Sequence, residues 1–286
     1  MRSGFVSVVG RPNVGKSSLV NRICGSKIAI VSDKPQTTRS AIRGVLHVPP
    51  DGPDDGEGAQ IVFVDTPGIH KPRSALGPRL NATATEAMRD VDATLVVIDG
   101  TATMGPGDRF VAERAPDDAI CVVNKIDWVE PEQLVAQLQR ASEQDFSAYF
   151  PVSARTGEGV DALVEHLLEL MPEGPPFFPD DMVTDVPEAF HVAELVREQL
   201  LWVTRDELPH SIATRVVEWE WPRIRVEILV ERESQKGIVI GKGGEVLKQV
   251  GTRVRRQLPD GAFLELHVKV DRTWAEKTDL LDTLGY

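Results

Sequence analysis

The chain has 286 residues, 41% of them hydrophobic, and a formal net charge of −12; at about 150 residues per domain this suggests two domains, each large enough to bury a core. No apolar run reaches the ~18 residues that a spanning helix needs, and the N-terminus runs straight into an apolar strand, so membrane spanning and secretion are excluded. The two cysteines, Cys24 in a helix pattern and Cys121 in a strand pattern, read as buried free thiols, which suits a reducing cytoplasm.

The run Phe5 to Val9 reads as a buried strand and Ser18 to Ile23 as the start of a helix. Between them, Gly10-Arg-Pro-Asn-Val-Gly-Lys-Ser17 is a complete phosphate-binding loop, placed where N–H groups at a helix N-terminus cradle phosphate oxygens. Asn13, Val14, Gly15 and Ser18 belong to that cradle, Lys16 reaches the β- and γ-phosphates, and the Ser17 hydroxyl holds Mg²⁺. A threonine is then needed between the first helix and the second strand, to close over the metal and the γ-phosphate. Thr37 and Thr38 are the candidates, and Thr38 is favoured because it directly precedes Arg39 and the strand 41–48.

Residues 49–60 are rich in Pro and Gly and carry Asp51, Asp54, Asp55 and Glu57, as expected of a solvated hairpin tip. The strand 61–64 ends in Asp65-Thr-Pro-Gly68. Asp65 belongs to the Mg²⁺ shell, and the Gly68 N–H meets the γ-phosphate, which only a residue without a side chain lets approach closely. Ile69 stands where a water-orienting glutamine is usual, so unaided turnover is expected to be slow. His70 reads as a solvated loop residue before it reads as a base.

The strand 119–123 ends in Asn124-Lys-Ile-Asp127, at the carboxyl end where open α/β sheets bind ligands. A carboxylate there accepts two hydrogen bonds, from guanine N1–H and the 2-amino group; adenine presents no such pair. Asp127 therefore selects guanine, Asn124 bonds the base or braces neighbouring loops, and the Lys125 stem covers the ring. Ser153-Ala-Arg-Thr-Gly157, after a short strand near 150–152, adds Ser153 and the Ala154 N–H, the latter aimed at guanine O6.

Strands near 5, 41, 61, 93, 119 and 148 alternate with helical patterns near 16, 76, 108, 131 and 160. The expectation is an α/β, P-loop GTPase domain over 1–170, with a mostly parallel sheet covered on both faces. Four prolines within 171–179 predict a stiff linker over 171–186. Beyond it, 187–286 reads as a smaller α+β domain. Helical spacing covers 187–201, alternation covers 223–230, and Gly241-Lys242-Gly243-Gly244 runs into a periodic segment at 246–258. Gly-x-x-Gly between two helices lets backbone approach a nucleic-acid strand, as in KH domains. Lys242 faces phosphate there, and Lys236, Lys248 and Arg253 complete the expected RNA-binding set. From 223 to 256 there are nine Lys/Arg against four Glu, a basic island in an acidic chain.

Together these segments resemble the Era family of ribosome-associated GTPases. The resemblance rests on 10–18, on Pro-Gln-Thr-Thr-Arg at 35–39, on 65–68 and 124–127, on Ser-Gln-Lys-Gly-Ile-Val-Ile-Gly-Lys-Gly-Gly at 234–244, and on the tail with Trp274 and Leu284-Gly-Tyr286. It implies GTP and GDP as ligands with Mg²⁺, and binding to the 3′ end of small-subunit ribosomal RNA with a role in maturing the small ribosomal subunit. It also implies an apolar residue at position 69 and a K⁺ held beside the phosphates by the Asn13 side-chain oxygen. Peripheral contact with the inner face of the membrane is compatible with the resemblance, and a monomer is expected. Two other readings fit the same letters: an RNA-binding module with a vestigial GTP site, and the GTPase component of an RNA-modification system.

Overall fold

Valine, isoleucine and leucine dominate the central strands of the first unit, which are buried on both faces. The computed structural model describes residues 1–50, 58–71, 76–204 and 211–286. Its strands β1 (Arg2–Gly10), β3 (Ala59–Asp65), β4 (Ala93–Asp99), β5 (Ile120–Asn124) and β6 (Ala148–Pro151) run parallel, and β2 (Ile42–Val48) is antiparallel at the edge beside β3. The sheet order is β2-β3-β1-β4-β5-β6. Because successive side chains alternate between faces, Val8, Leu95 and Val97 enter one core with Leu19, Val20, Leu163 and Leu167. Val9, Val96 and Ile98 enter the other, with Ala84, Val111 and Ala141. Helices α1 (Lys16–Ile23) and α5 (Val160–Leu170) thus cover one face, and α2 (Gly77–Glu86), α3 (Pro106–Ala112) and α4 (Pro131–Ala141) the other. The order reverses around β1, which is flanked by β3 and β4, so the loop after β1 opens into the crevice where such sheets bind ligands.

The proline-rich stretch is not a free spacer. Residues 171–185 are part of the first compact unit, Met1–Val31 with Thr38–Asp185. Gln60, fully buried in β3, accepts hydrogen bonds from the Phe177 and Phe178 N–H groups at 2.7 and 3.0 Å and donates to the Phe178 carbonyl at 2.8 Å. At the sheet edge, the Val45 N–H of β2 donates to the Val183 carbonyl at 2.9 Å. Proline density does predict irregular backbone. It does not predict detachment, because an irregular strap can still offer carbonyls to an edge strand and so cover it. Ala59 and Gln60 also belong to β3, so the 49–60 insertion is shorter than its composition suggests; Asp51, Asp54, Asp55 and Glu57 lie outside the described residues.

The second compact unit joins Val186–Tyr286 with Ser32–Thr37. Its sheet has the order β7 (Ala213–Glu220), β8 (Arg223–Val230), β9 (Phe263–Val270), antiparallel and then parallel. Helix α6 (Glu188–Val203) packs on β7, and α7 (Glu233–Ile240) and α8 (Glu245–Arg255) are joined by the glycine turn. Within this unit the guanidinium of Arg197, completely buried on α6, is ion-paired with Glu194 one turn earlier and donates to the Thr37 carbonyl.

Candidate nucleotide and nucleic-acid sites

The loop after β1 closes on itself and on its neighbours. The Lys16 ammonium donates to the Gly10 and Arg11 carbonyls at 3.2 and 2.9 Å, and burial lowers its pKa to about 8, against the pull of Asp65. Gly15 sits at φ 96, and a Cβ there would stand 2.3 Å from the Asn124 amide nitrogen. Gly68 is needed for a related reason: its Cβ would stand 2.6 Å from the Pro12 nitrogen, so the Asp65–Gly68 loop can approach the phosphate loop only without one.

Three oxygens converge beside Lys16. The Ser17 hydroxyl donates to Asp65 Oδ2 at 2.6 Å and lies 2.9 Å from Thr38 Oγ1, which is itself 3.4 Å from the same carboxylate oxygen. Thr37 is elsewhere, its hydroxyl donating to the Lys34 carbonyl at 2.7 Å and meeting Ser32 Oγ. The Thr38 hydroxyl is the one that hydrogen-bonds with Ser17 and Asp65. Burial raises the Asp65 pKa to about 6 although Lys16, Ser17 and Thr38 oppose it, and among the described residues its buried Oδ1 has no hydrogen-bond partner. A hard cation with oxygen ligands fits this set: two hydroxyls, one carboxylate and an unspent lone pair.

Ile69 is more than apolar. It is 1% exposed and lies in one core cluster with Val9, Val96, Ile98 and Met104, while its N–H donates to the Gly10 carbonyl at 3.1 Å. The following peptide is pinned by Asn81, whose carboxamide accepts from the His70 N–H at 3.2 Å and donates to the His70 carbonyl at 2.7 Å.

At the other end of the site Asn124 is a brace. Its amide donates to the Val14 carbonyl at 2.9 Å, and its oxygen accepts from the Lys125 and Ala154 N–H groups at 2.8 and 3.0 Å. The Ala154 N–H expected at guanine O6 is therefore already engaged. The Lys125 ammonium spans from Asp99, at 2.6 Å, to the Asn13 carbonyl, at 2.7 Å, laying its stem between β4 and the phosphate loop. Ser153 donates to Asp127 Oδ1 at 2.5 Å, while the Arg155 guanidinium is 2.6 Å from Oδ2 and 5.4 Å from the ring centre of exposed Trp128. Burial would raise the Asp127 pKa, but the Ser153 hydroxyl and Arg155 together hold it below the ordinary value. Arg155 is the residue here that the motif, read as letters, does not reveal.

In the second unit, Gly241, Gly243 and Gly244 have φ of 75, 63 and 80°, so the turn depends on glycine. Added side chains at 243 and 244 would meet nothing within 4 Å, and Lys242 is exposed between them and Gly241. Lys236 is half-buried on α7; Lys248 and Arg253 are exposed on α8. At 100° per residue those last two lie about 140° apart around the helix, so they do not share one face. Arg255, seven residues after Lys248 and also exposed, does share its flank. The basic island also shrinks. Arg225 is ion-paired with Glu218 and with Glu265 at 2.9 Å, and Arg223 with Glu265 at 2.9 Å, acids that lie just outside the stretch counted.

Burial pushes both thiols up to about 12, so neither Cys24 nor Cys121 supplies a thiolate nucleophile, and the RNA-modification reading loses its catalytic group. Among the described residues no helix is long and apolar enough to cross a membrane.

Residues 5–125 match a family described as 50S ribosome-binding GTPase, and residues 207–275 match the KH domain. Two solved structures are similar over the whole chain. One is a single-site variant of Era from Aquifex aeolicus bound to GDP·AlF4⁻, 36% identical, with a TM-score of 0.92 and coverage of 100% of this chain and 99% of that one. The other is Era in complex with MgGDPNP and nucleotides 1506–1542 of 16S ribosomal RNA, also 36% identical, with a TM-score of 0.91 and the same coverage. With both units matched in sequence and fold from end to end, the chain belongs to the Era family of P-loop GTPases.

Proposed function

We propose that this protein is a GTP-hydrolysing switch that binds small-subunit ribosomal RNA near its 3′ end through its KH unit and assists assembly of the small subunit. The observation that carries this is the convergence of the Ser17 and Thr38 hydroxyls on Asp65 Oδ2, with the buried Oδ1 of the same carboxylate unpartnered among the described residues, in a chain that also carries a Gly-x-x-Gly turn with an exposed Lys242. The matched family is described by the large subunit; the relative that aligns over the KH unit as well carries 16S nucleotides, which favours the small one. The setting proposed is the cytoplasm and the active form a monomer. Any contact with the inner face of the membrane would be peripheral.

In this reading Asn13, Val14, Gly15, Lys16, Ser17 and Ser18 hold the phosphates, and Gly68 offers its N–H to the γ-phosphate. Asp127 reads the base inside a frame built by Asn124, Lys125, Ser153 and Ala154. Ser17, Thr38 and Asp65 would hold Mg²⁺, which neutralises phosphate charge when bound. The RNA face is Lys242 with Gly241, Gly243 and Gly244, together with Lys236, Lys248 and Arg255. The test is RNA binding across a salt series. Lys242→Glu should weaken binding to a 16S 3′-end oligonucleotide and reduce the slope of log K against log salt by about 0.7 for the lost phosphate contact, with GTP affinity unchanged. An unaltered slope and affinity would move the RNA surface elsewhere.

With Ile69 turned inward, a cation beside the β- and γ-phosphates would take over part of the work of stabilising developing charge. We propose that the Asn13 side-chain oxygen holds K⁺ there. Hydrolysis in potassium should exceed that in sodium or caesium at equal ionic strength by roughly tenfold, or about 1.4 kcal/mol of barrier. Asn13→Ala should abolish the difference while still binding GTP. Equal rates in all three salts would leave Asn13 as a structural residue.

A further inference from the structure

Arg22 lies near the end of α1, the helix that begins at Lys16, and its exposed side chain reaches back to the loop after β6. Its Nε donates to the Ala154 carbonyl at 3.0 Å, and its Nη2 donates to the Arg155 carbonyl. The same loop carries the two groups that aim Asp127: the Ser153 hydroxyl on one carboxylate oxygen and the Arg155 guanidinium on the other. Thr156 closes the turn by donating its N–H to Ser153 Oγ at 3.0 Å. One planar guanidinium thus ties the loop that sets the base-reading carboxylate to the helix that starts at the phosphate-binding lysine.

We propose that Arg22 is a positioning residue that fixes the guanine loop to the phosphate helix and so determines how long a guanine nucleotide stays bound. The proposal rests on the GTP-binding reading above. From the first unit's other elements the loop receives Asn124, which holds the Ala154 N–H, and the β5 backbone, where Val123 accepts from Val152. Both of those come from the strand side. Arg22 is the tie from α1, and without it the carbonyls of Ala154 and Arg155 are released to water and the loop swings on its strand-side anchors. Two adjacent carbonyls suit the rigid, planar fork of a guanidinium; an ammonium offers its donors from one point on a shorter, more flexible stem and holds the pair less firmly. Affinity changes of this kind appear chiefly in the dissociation rate.

The experiment loads the full-length protein with a fluorescent GDP in Mg²⁺ and chases it with excess GDP. Arg22→Ala should raise the dissociation rate roughly tenfold, the scale of one lost charge-assisted bond, with the association rate unchanged and Arg22→Lys in between. Because Arg22 is exposed, the variant keeps the parent's urea midpoint, so a loss of fold does not mimic the effect. A dissociation rate within about twofold of the parent in Arg22→Ala, or equal rates for the lysine and alanine variants, overturns the proposal. If the parent itself fails to retain GDP, it is the GTP-binding reading that falls, and the proposal with it.

Discussion

Asp127→Asn is expected to turn nucleotide preference from guanine to xanthine. The carboxylate accepts from guanine N1–H and its 2-amino group, whereas the amide presents a donor that complements the xanthine C2 carbonyl. Losing the charged partner in this desolvated site should cost GTP binding roughly 2–5 kcal/mol. Two neighbours sharpen the expectation. Ser153 donates to Oδ1, and Arg155 sits on Oδ2 with 64% of its side chain exposed, so the substitution strands no buried cation and the fold should be kept. Since Ser153 and Arg155 hold the Asp127 pKa below the ordinary range, the carboxylate stays charged down to acid pH. Guanine recognition should therefore not titrate at this residue between pH 5 and 8, a window that lies above the ~3.9 of a free aspartate. Competition among GTP, ATP and XTP measures the outcome, and unchanged GTP affinity in the variant would remove Asp127 from base reading.

Much of the nucleotide site was legible because backbone geometry dictates it. Gly15 and Gly68 stand where any Cβ would strike Asn124 or Pro12, so the letters of the loops are the geometry. The same holds for the positive φ angles at 241, 243 and 244. What could not be read was decided by long-range pairing. Composition assigns Arg223 and Arg225 to a basic island, yet strand register sets Glu265 directly beside Arg225 and within reach of Arg223. Proline density described the backbone of 171–179, but Gln60, more than a hundred residues earlier, fastens that stretch to β3. Asn124 had two roles open to it, and three contacts to neighbouring loops make it the brace. Position 69 shows a subtler limit. Its apolar character was plain, but only packing reveals that the side chain points into the core.

Arg197→Leu is expected to destabilise the second unit by about 3–5 kcal/mol, because it leaves Glu194 as an uncompensated buried charge. Burial works against the Arg197 charge, but Glu194, Tyr286 and Glu198 together more than offset it, so the guanidinium is held well above its ordinary pKa and remains charged in the fold. Its side chain is 0% exposed and that of Glu194 6%, so solvent cannot replace the lost partner. Replacing both residues removes the charge pair together. The double variant Glu194→Leu with Arg197→Leu should recover most of the loss, since well-packed apolar residues of similar volume are often neutral or better than a buried pair. Recovery should fall short by about 1 kcal/mol, the hydrogen bond to the Thr37 carbonyl that neither variant can make. Trp274 reports the result. It is fully buried in this unit, with its indole N–H on the Ser211 carbonyl at 3.1 Å, whereas Trp128, Trp202, Trp219 and Trp221 are all exposed. The blue edge of tryptophan emission, followed through a urea titration, therefore tracks the second unit. An Arg197→Leu midpoint equal to that of the parent would mean that the pair holds nothing together; a double variant no better than the single one would place the cost in the Thr37 contact and not in the stranded charge.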